Sequence, residues 1–500
     1  MQPLLTPPAP LAPADFQGEA LLLAPEWTLV DEVAQAGLAV LIRRGVFEAV
    51  GPVEALRQQY PDLAVQPLPR RLLMPGLIDT HHHLTQSYGK ALAFGEPSEI
   101  FKRIWVPLEQ HLTEEDLYLS AKLAALESLR GGFTTVCDAG TRSSAGLSAI
   151  ETAVQEAGIR CVLARICHDL GATEAQVRET EAQAERHLAR YAAGSRLHAS
   201  LGIAIPEVAS DAMLHRVSRL CREAGVAFQV HINEHLASIE RSLVARGLRP
   251  LEVLHQAQAL GPELLAAHVT MATPSELMRL RDAGAAVSYN PVASSWKGNA
   301  VAPAQLMRQL GIRLGLGTDG TRGDAFRLVD AAETAQRLTQ GMDVGDFSVG
   351  AGWTWLHMAS AGGADAAHLS RVTGRIAPGL CIRLYSEADI MRIQQVLVYR
   401  QTGMSLADIK TVLDEPGTDA LTHLRRQREL VQGQISHLQH KLSSIDMVKS
   451  FLINTIGHKD HEVFMCLYLD IHNRLLHSEE IFRGSINQTA IYIREVAKAC

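Results

Sequence analysis

Eight apolar, β-branched segments alternate with stretches of helical periodicity between residues 73 and 320, and this alternation constrains the fold more than any other feature. The segments are residues 73–84, 133–140, 160–169, 197–205, 227–234, 264–270, 285–291 and 313–320. Eight strand–helix units in about 250 residues fit a closed (β/α)8 barrel better than an open sheet. The sequence therefore predicts an α/β protein with a TIM barrel whose functional site lies at the carboxyl ends of the strands.

The composition of the chain changes beyond the barrel. Of the 38 glycines, 33 lie in residues 1–380, and Pro416 is the one proline after residue 380. Glycine and proline punctuate short strand–loop–helix units, so their loss indicates a different architecture. We predict four segments: a small β-sandwich domain in 1–73, the barrel in 74–380, a helical and coiled-coil segment in 381–445, and an α+β fragment in 446–500.

Charge and cysteine usage argue against several classes of protein. The net charge of −7 gives no electrostatic reason to expect nucleic-acid binding by the whole chain. The seven cysteines are scattered and have no CxxC spacing, which argues against a disulfide framework and for a reducing compartment. The first residues lack a signal-peptide pattern, and no apolar run approaches ~18–20 residues. We therefore expect a cytoplasmic protein without membrane spans.

Potential metal ligands end four of the predicted barrel strands. They are His81 and His83 on the first strand, His231 on the fifth, His268 on the sixth and Asp319 on the eighth. Because residues i and i+2 share one face of a strand, His81 and His83 converge while His82 points away. A single histidine on an apolar strand is more often an ordinary core residue, but several at the same end of one barrel indicate a divalent metal site with an open position for water.

Glu234 follows His231 by three residues and is a candidate proton carrier. Its carboxylate could reach a metal-activated water and move a proton to a leaving group. The alternative is an acidic residue that merely favours the start of the next helix.

Residues 15–380 resemble the amidohydrolase superfamily, in particular its branch of cytosine, guanine and S-adenosylhomocysteine deaminases and triazine hydrolases. The resemblance rests on six motifs in a specific order. They are MPGLIDTHHHLTQ (74–86), ESLRGGFTTVCDAG (127–140), HINE (231–234), AAHVT (266–270), GLGTDG (315–320) and GRIAPG (374–379).

The resemblance implies a role for each candidate residue. The implied metal ligands are His81, His83, His231 and Asp319. Glu234 would act as the proton shuttle, Asp319 as a base on the attacking water, and His268 would orient the water or the substrate. Gln86 stands at the spacing where several purine and triazine enzymes of this branch hold a ring substituent.

The sequence also bears on the number of metal ions. Two-metal members of the superfamily commonly bridge the ions with a carboxylated lysine on the fourth strand, yet no lysine occurs between Lys122 and Lys297. A glutamate bridge such as Glu207 stays open. We expect one divalent ion per chain, zinc in the first place and iron as the alternative.

The resemblance implies hydrolytic deamination of an amino-substituted pyrimidine, purine or triazine. The metal lowers the pKa of a water from ~15.7 toward neutrality, and this water attacks the ring carbon while ammonia leaves after protonation through Glu234. Removal of chloride or an alkylamine would use the same residues, and the sequence does not identify the ring. Trp105 and residues 290–299 are further candidates for the substrate pocket, although Trp105 is equally suited to a packing role.

The resemblance to amidohydrolases stops after residue 380. Relatives continue with a K-x-A-D-L-V-L strand that returns to the β-domain, and this chain has LCIRLYSEADI instead, so we predict an incomplete β-domain with an exposed edge. Residues 382–445 resemble the second half of MerR-type regulators. Apolar residues at heptad spacing in 421–445 would allow a homodimer through a coiled coil. Residues 446–500 resemble the opening of a RadC-type JAB domain without its metal motif.

Three hypotheses account for this series of partial families. The first is a chimera whose enzymology belongs to residues 1–380, acting on a small heterocyclic substrate. The second is a MerR-like, ligand-responsive regulator. The absence of the helix-turn-helix that reads DNA in that family argues against it, because we do not expect the remaining segment to bind DNA. The third is a barrel that has lost its activity and serves as a binding or scaffold protein.

Overall fold

The computed structural model describes most of the chain up to residue 382 and parts of the remainder. The described residues are 16, 18–93, 100–192, 194–345, 348, 350–382, 429 and 432, with the backbone of 463–469 and 475–483. The chain divides into two compact units, residues 1–397 and 398–500. None of the described helices is apolar over a stretch long enough to reach from one face of a bilayer to the other.

A five-stranded sheet precedes the barrel. Its elements are β1 (Ala20–Val30), β2 (Val33–Ala36), β3 (Leu38–Arg43), β4 (Val46–Pro52), α1 (Val53–Gln59) and β5 (Val65–Leu73). The strand order is β2-β1-β3-β4, and β5 pairs in parallel with β1. Adjacent residues of β1 pack into different apolar clusters, Leu23 with Val40 and Phe47, and Leu22 with Leu41, as the alternation of side chains along a strand requires.

The chain returns from the barrel to this sheet at its described end. Gly379 N donates to Phe47 O at 2.8 Å, and Phe47 N donates to Leu380 O at 2.9 Å. Cys381 forms an antiparallel bridge with Val46. A short segment therefore covers part of the outer edge of β4, and among the described residues no longer strand joins it.

Eight parallel strands form a closed barrel, which confirms the predicted fold class. They are β6 (Leu77–His82), β7 (Phe133–Asp138), β8 (Arg160–Ile166), β9 (Leu197–Ile203), β10 (Phe228–Ile232), β11 (Leu264–His268), β12 (Ala286–Tyr289) and β13 (Arg313–Leu316). Each lies in one of the eight predicted segments. The strands follow one another around the barrel, and β13 closes against β6 through the pair Leu316 and Asp79.

Helices surround the barrel. They are α2 (Lys90–Ala93), α3 (Val106–His111), α4 (Glu114–Arg130), α5 (Ser148–Ala157), α6 (Glu174–Leu188), α7 (Asp211–Ala224), α8 (Leu236–Arg246), α9 (Pro250–Gln256), α10 (Pro274–Ala283), α11 (Pro291–Lys297), α12 (Ala304–Gln309), α13 (Ala325–Gln336), α14 (Met342–Val344), α15 (Gly352–Met358) and α16 (Ala361–Ala366). Local sequence sets their ends. Thr273 caps α10 by accepting from Glu276 N while Glu276 accepts from Thr273 N, and Gly284 ends the helix with φ 66°.

The strand β10 shows how the core positions a functional side chain. Phe228, Val230 and Ile232 share one face and belong to a buried apolar cluster with residues of α7. Burial of each such side chain contributes about 1.5–3 kcal/mol. The alternate residues Gln229 and His231 therefore lie on the opposite face, where Gln229 Nε2 donates to Asp138 O at 3.2 Å. Packing of the apolar face thus orients His231 toward the barrel interior.

A buried aspartate joins the first and last strands. Asp79 Oδ1 accepts from Thr318 N at 3.0 Å, and Asp79 Oδ2 accepts from the Thr318 hydroxyl. His82 Nδ1 donates to Thr318 Oγ1 at 2.7 Å, so His82 contributes to this contact and not to the predicted metal site. Backbone pairing here is short, with the pair Leu316 and Asp79 and a parallel bridge between His82 and Asp319, so these side-chain contacts add to the closure.

In the unit after residue 397, the structure describes two strands. These are β14 (Val463–Leu469) and β15 (Leu475–Arg483), which pair antiparallel. The predicted coiled coil in 421–445 and possible dimer contacts there lie outside the described residues, apart from two helical positions at 429 and 432.

Candidate active site

The five predicted residues at the strand ends converge in the structure. Ligand atoms of His81, His231, His268 and Asp319 all lie within 4.8 Å of one another. His83 Nε2 lies 3.3 Å from His231 Nε2 and 3.2 Å from Asp319 Oδ1. Spacing along separate strands thus brings four imidazoles and a carboxylate to one buried point at the carboxyl ends of the barrel.

The backbone at this point is strained. His268, Val269 and Asp319 have φ values of 74°, 50° and 57°, in the left-handed region that residues with a Cβ seldom adopt. Asp319 N donates to His81 O at 2.8 Å, which holds the turn after β13 against β6. A Cβ on Gly317 would lie 2.3 Å from Asn290 Oδ1, so only glycine fits there. The GLGTDG motif therefore permits the close approach that presents Asp319 to the imidazoles.

Two of the four imidazoles, those of His81 and His231, have the properties of metal ligands. His231 Nδ1 donates to Ala204 O at 2.8 Å, which leaves its Nε2 free of a proton. Burial, with His83 and His268 nearby, lowers the pKa of His231 to about 3, and burial also holds the pKa of His81 well below its usual value. His81 Nε2 is buried without a hydrogen-bond partner among the described residues. These neutral nitrogens and one carboxylate fit a divalent metal ion.

His268 has a different hydrogen-bonding environment. Ser288 Oγ donates to Asn290 Oδ1 at 2.9 Å, so Asn290 Nδ2 is the group that donates to His268 Nδ1 at 3.2 Å. Neutral His268 therefore carries its proton on Nε2, which points toward Glu234 and Asp319 at 3.7 and 3.8 Å. This arrangement suits a hydrogen-bond donor better than a metal ligand.

Glu234 lies beside the imidazoles and shares a cation with Asp319. Lys297 Nζ donates to Glu234 Oε1 at 2.7 Å and to Asp319 Oδ2 at 2.6 Å. Burial alone would raise the pKa of Glu234, but His268, Lys297 and His235 outweigh it and lower the pKa well below its usual value. The pKa of Asp319 is likewise lowered against burial, chiefly by Lys297. Both carboxylates are therefore ionised at neutral pH.

Lys297 was not singled out from the sequence. It belongs to the predicted pocket segment 290–299, where it ends the short helix α11 after strand β12. Its position was the one sequence signal for a role in the site, because residues in the strand-to-helix connections lie at the carboxyl end of the barrel.

Gln86 and Trp105 lie near the turn that follows Asp319. Gln86 Nε2 donates to the buried Glu109 Oε1 at 3.0 Å, and Trp105 packs so closely on Gly89 that a Cβ there would lie 2.3 Å from its ring. A small cavity of about 40 Å³ adjoins the site and is lined by other residues. These are Phe101, Lys102, Ile205, His231, Glu234, His235, Ser238 and Arg241. The predicted substrate contacts of Gln86 and Trp105 stay predictions.

Glu207, the alternative metal bridge, is outside the cluster of potential ligands. Both of its carboxylate oxygens are buried without a hydrogen-bond partner among the described residues, and burial raises its pKa. In the described part of the chain, the potential metal ligands form one group.

Known families match the chain in the predicted order. A model of the amidohydrolase family matches residues 72–380, one of the MerR DNA-binding region matches 390–452, and one of the RadC-like JAB domain matches 442–500. A fourth, the bacterial imidazolonepropionase-like composite domain, matches 39–62. The resemblances inferred from the sequence are thereby confirmed.

Similar curated proteins include deaminases. The chain is 32% identical to a 5′-deoxyadenosine deaminase of Methanopyrus kandleri over 253 residues, which are 50% of this chain and 57% of that protein. It is 28% identical to a 5-methylthioadenosine/S-adenosylhomocysteine deaminase of Syntrophobacter fumaroxidans over 348 residues, which are 68% of this chain and 77% of that protein. The chain thus covers about half of the length of the first relative and about three quarters of the length of the second.

Solved structures share the fold. An adenosine deaminase from Xanthomonas campestris with bound zinc is 23% identical with a TM-score of 0.65, over 72% of this chain and 83% of that one. A guanine deaminase from C. acetobutylicum with bound guanine is 14% identical with a TM-score of 0.63. The match covers 73% of this chain and 89% of that one. The matching family model covers 309 of the 500 residues, from 72 to 380. Together with the closed barrel and its histidine cluster, this match shows that the chain belongs to the amidohydrolase family.

Proposed function

We propose that this chain is a metal-dependent aminohydrolase that deaminates an amino-substituted nitrogen heterocycle, with an adenine nucleoside as the first candidate. One observation carries the proposal: His81, His83, His231 and Asp319 meet with Glu234 and His268 at the carboxyl end of one barrel. The curated relatives named as 5′-deoxyadenosine and 5-methylthioadenosine/S-adenosylhomocysteine deaminases support the choice of an adenine nucleoside.

Four residues would hold the metal. His81, His83 and His231 supply imidazole nitrogens, and Asp319 supplies Oδ1, the oxygen nearer to His83. When bound, the metal would lower the pKa of a water molecule and so supply the nucleophile. The zinc in the related Xanthomonas structure and the donor set of nitrogen and oxygen atoms support zinc as the ion.

The other residues move and hold protons. Glu234, ionised at rest, accepts a proton from the attacking water and delivers it to the exocyclic amine. His268 keeps its proton on Nε2 because Asn290 donates to Nδ1, and it donates a hydrogen bond to the attacking oxygen or the ring. Asp319 assists as an acceptor for the second proton of the water.

The reaction balances without a further reactant. A carbon–oxygen bond forms between water and the ring carbon, and the carbon–nitrogen bond to the amine breaks. The amine leaves as ammonia with one proton of the water, delivered through Glu234, and the other proton, accepted by Asp319, ends on the ring nitrogen beside the reacting carbon. The ring retains a carbonyl group in place of the amine.

Metal analysis and an ammonia assay test the proposal together. Protein purified without a chelator should hold about one zinc or iron ion per chain, and His81→Ala should lose it. A panel of adenine nucleosides, guanine, cytosine and triazines should contain a substrate that releases ammonia. Asp319→Ala should abolish this release and keep the far-UV circular dichroism spectrum. A folded protein that binds metal and releases no ammonia from the panel would contradict the assignment.

We also propose a homodimer through residues 421–445, on the heptad spacing alone. Light scattering after size-exclusion chromatography should give twice the chain mass of 54.4 kDa. A monomer at micromolar concentration would contradict it.

A further inference from the structure

Lys297 occupies the space between two carboxylates of the candidate site. Its Nζ lies 2.7 Å from Glu234 Oε1 and 2.6 Å from Asp319 Oδ2. The side chains of Lys297, Glu234 and Asp319 are 9%, 11% and 5% exposed, so water screens these contacts little. One ammonium group therefore stabilises two buried negative charges that come from different barrel strands.

The two oxygens of Asp319 have separate partners. Oδ1 faces the imidazoles, at 3.2 Å from His83 Nε2 and 3.7 Å from His81 Nε2. Oδ2 contacts Lys297 and lies 3.8 Å from Nε2 of His268, which carries a proton and is not one of the three proposed histidine ligands. The lysine can therefore keep its contact while Oδ1 serves as a metal ligand, and the contact orients the carboxylate to offer one oxygen.

The same ammonium also sets the position of Glu234. Glu234 Oε1 is 3.7 Å from His268 Nε2, close to the place where a water and a leaving group would need its carboxylate. Lys297 and His235 Nε2, at 3.2 Å, are the basic groups nearest to Oε1 among the described residues. A carboxylate held on two sides presents its remaining lone pairs in one direction.

A purely structural ion pair is the alternative explanation. Buried ion pairs often contribute little net stability, because desolvation of the charges offsets their attraction. The alternative predicts that loss of Lys297 lowers the stability and leaves metal affinity and turnover per folded molecule unchanged. Lys122 provides a comparison with an ion pair outside the site. It lies on the outer helix α4, its Nζ pairs with Glu156 at 2.8 Å, and its side chain is 15% exposed.

We propose that Lys297 is a positioning residue, a tethered cation shared by Glu234 and Asp319 that restricts Asp319 to one oxygen toward the metal and holds Glu234 in place for proton transfer. This inference rests on the proposed function. Removal of the ammonium should free Asp319 Oδ2 and remove a positive charge near the metal, so the ion should bind more tightly. Turnover should fall because Glu234 loses its fixed position.

The test compares Lys297→Met, Lys297→Arg and Lys122→Met with the unaltered protein. Zinc affinity is measured by competition with a chromophoric chelator, and kcat and KM by ammonia release. In Lys297→Met we expect zinc to bind at least about tenfold more tightly and kcat to fall at least about tenfold, with KM within about threefold. Lys297→Arg should recover part of both values, because it restores the charge. Lys122→Met should match the unaltered protein.

The outcomes separate this inference from the proposed function. Unchanged zinc affinity and kcat in Lys297→Met, weaker zinc binding, or a change in KM alone would overturn the role of Lys297 and leave the proposed function standing. No zinc binding and no ammonia release by the unaltered protein would overturn both. If Lys297→Met fails to fold, Lys297→Gln, which keeps a donor but lacks the charge, provides the same comparison.

Discussion

Buried polar groups differ in their hydrogen-bond partners between the two ends of the barrel. At the amino ends of the strands, charged side chains have several partners: Glu263, which is 1% exposed, accepts from Arg222 and from Ser218. Arg313 contacts the carboxylate of Asp365 and three backbone carbonyl oxygens. At the carboxyl ends, buried side-chain atoms have no hydrogen-bond partner among the described residues. They include His81 Nε2, His83 Nδ1, His268 Nε2 and Asn233 Oδ1.

This difference separates stability from function within one fold. An unpaired buried polar atom costs about 1–3 kcal/mol, so a protein seldom retains several unless a ligand uses them. The non-glycine residues in left-handed conformations at the site add strain to that cost. The amino end can therefore be altered at the expense of stability alone, whereas changes at the carboxyl end should act on chemistry.

The largest expected effect is on turnover and comes from Glu234. Glu234→Gln keeps the shape and can accept a hydrogen bond from Lys297, but it cannot carry the proton. We expect kcat to fall by about 10³, within the range typical of a lost general acid–base, while the free energy of unfolding does not decrease. Steady-state kinetics and urea denaturation measure the two quantities. Full turnover in this variant would place the proton carrier elsewhere.

The next effect concerns stability at the amino end. Arg222→Met leaves the buried carboxylate of Glu263 with Ser218 as its remaining side-chain partner, and should cost about 2–3 kcal/mol. Arg222 is itself 49% exposed, which keeps the value below that of a fully buried pair. Urea denaturation should show the loss, with kcat unchanged. Arg219→Met, which breaks an exposed pair with Glu223, should cost about 0.5 kcal/mol or less.

A smaller effect on turnover should come from Asn290. Asn290→Ala removes the donor to His268 Nδ1, so the imidazole can place its proton on either nitrogen. Loss of such an orienting partner costs about tenfold in activity or metal affinity at the low end of the known range. We expect kcat to fall by about this factor with little change in unfolding. An unchanged kcat would contradict the assignment of His268 as an Nε2–H donor.

The smallest effect is a pH dependence at the amino end. Burial, with Arg160 adding to it, lowers the pKa of His198 to about 4. The unfolded chain, with a histidine pKa of about 6.5, therefore binds more protons than the folded chain between pH 6.5 and 4, and stability falls as the pH falls through this window. Allowing for solvent screening, we expect at most about 1 kcal/mol at pH 5. His198→Gln should reduce the pH dependence of unfolding, and an unaltered slope would contradict it.

The sequence predicted the barrel and its histidines for one physical reason. Strand periodicity fixes which face a residue occupies, and parallel strands place their carboxyl ends together, so His81, His231 and Asp319 had to approach one another. Lys297 could not be placed this way, because it is the last residue of a short helix whose direction depends on packing. The proton position on His268 likewise depends on Asn290, 22 residues away, and no local pattern encodes that contact.

The contacts that close the barrel also bring the residues of the site together. Asp79 and Thr318 join the first strand to the last, and His81 and Asp319 each lie within two residues of that junction. A partly folded barrel with this junction open would separate the ligands by the width of the gap and lose its affinity for a metal ion. A metal ion should therefore bind to the closed form of the barrel alone and stabilise it. The unfolding temperature should then rise in proportion to the logarithm of the free ion concentration.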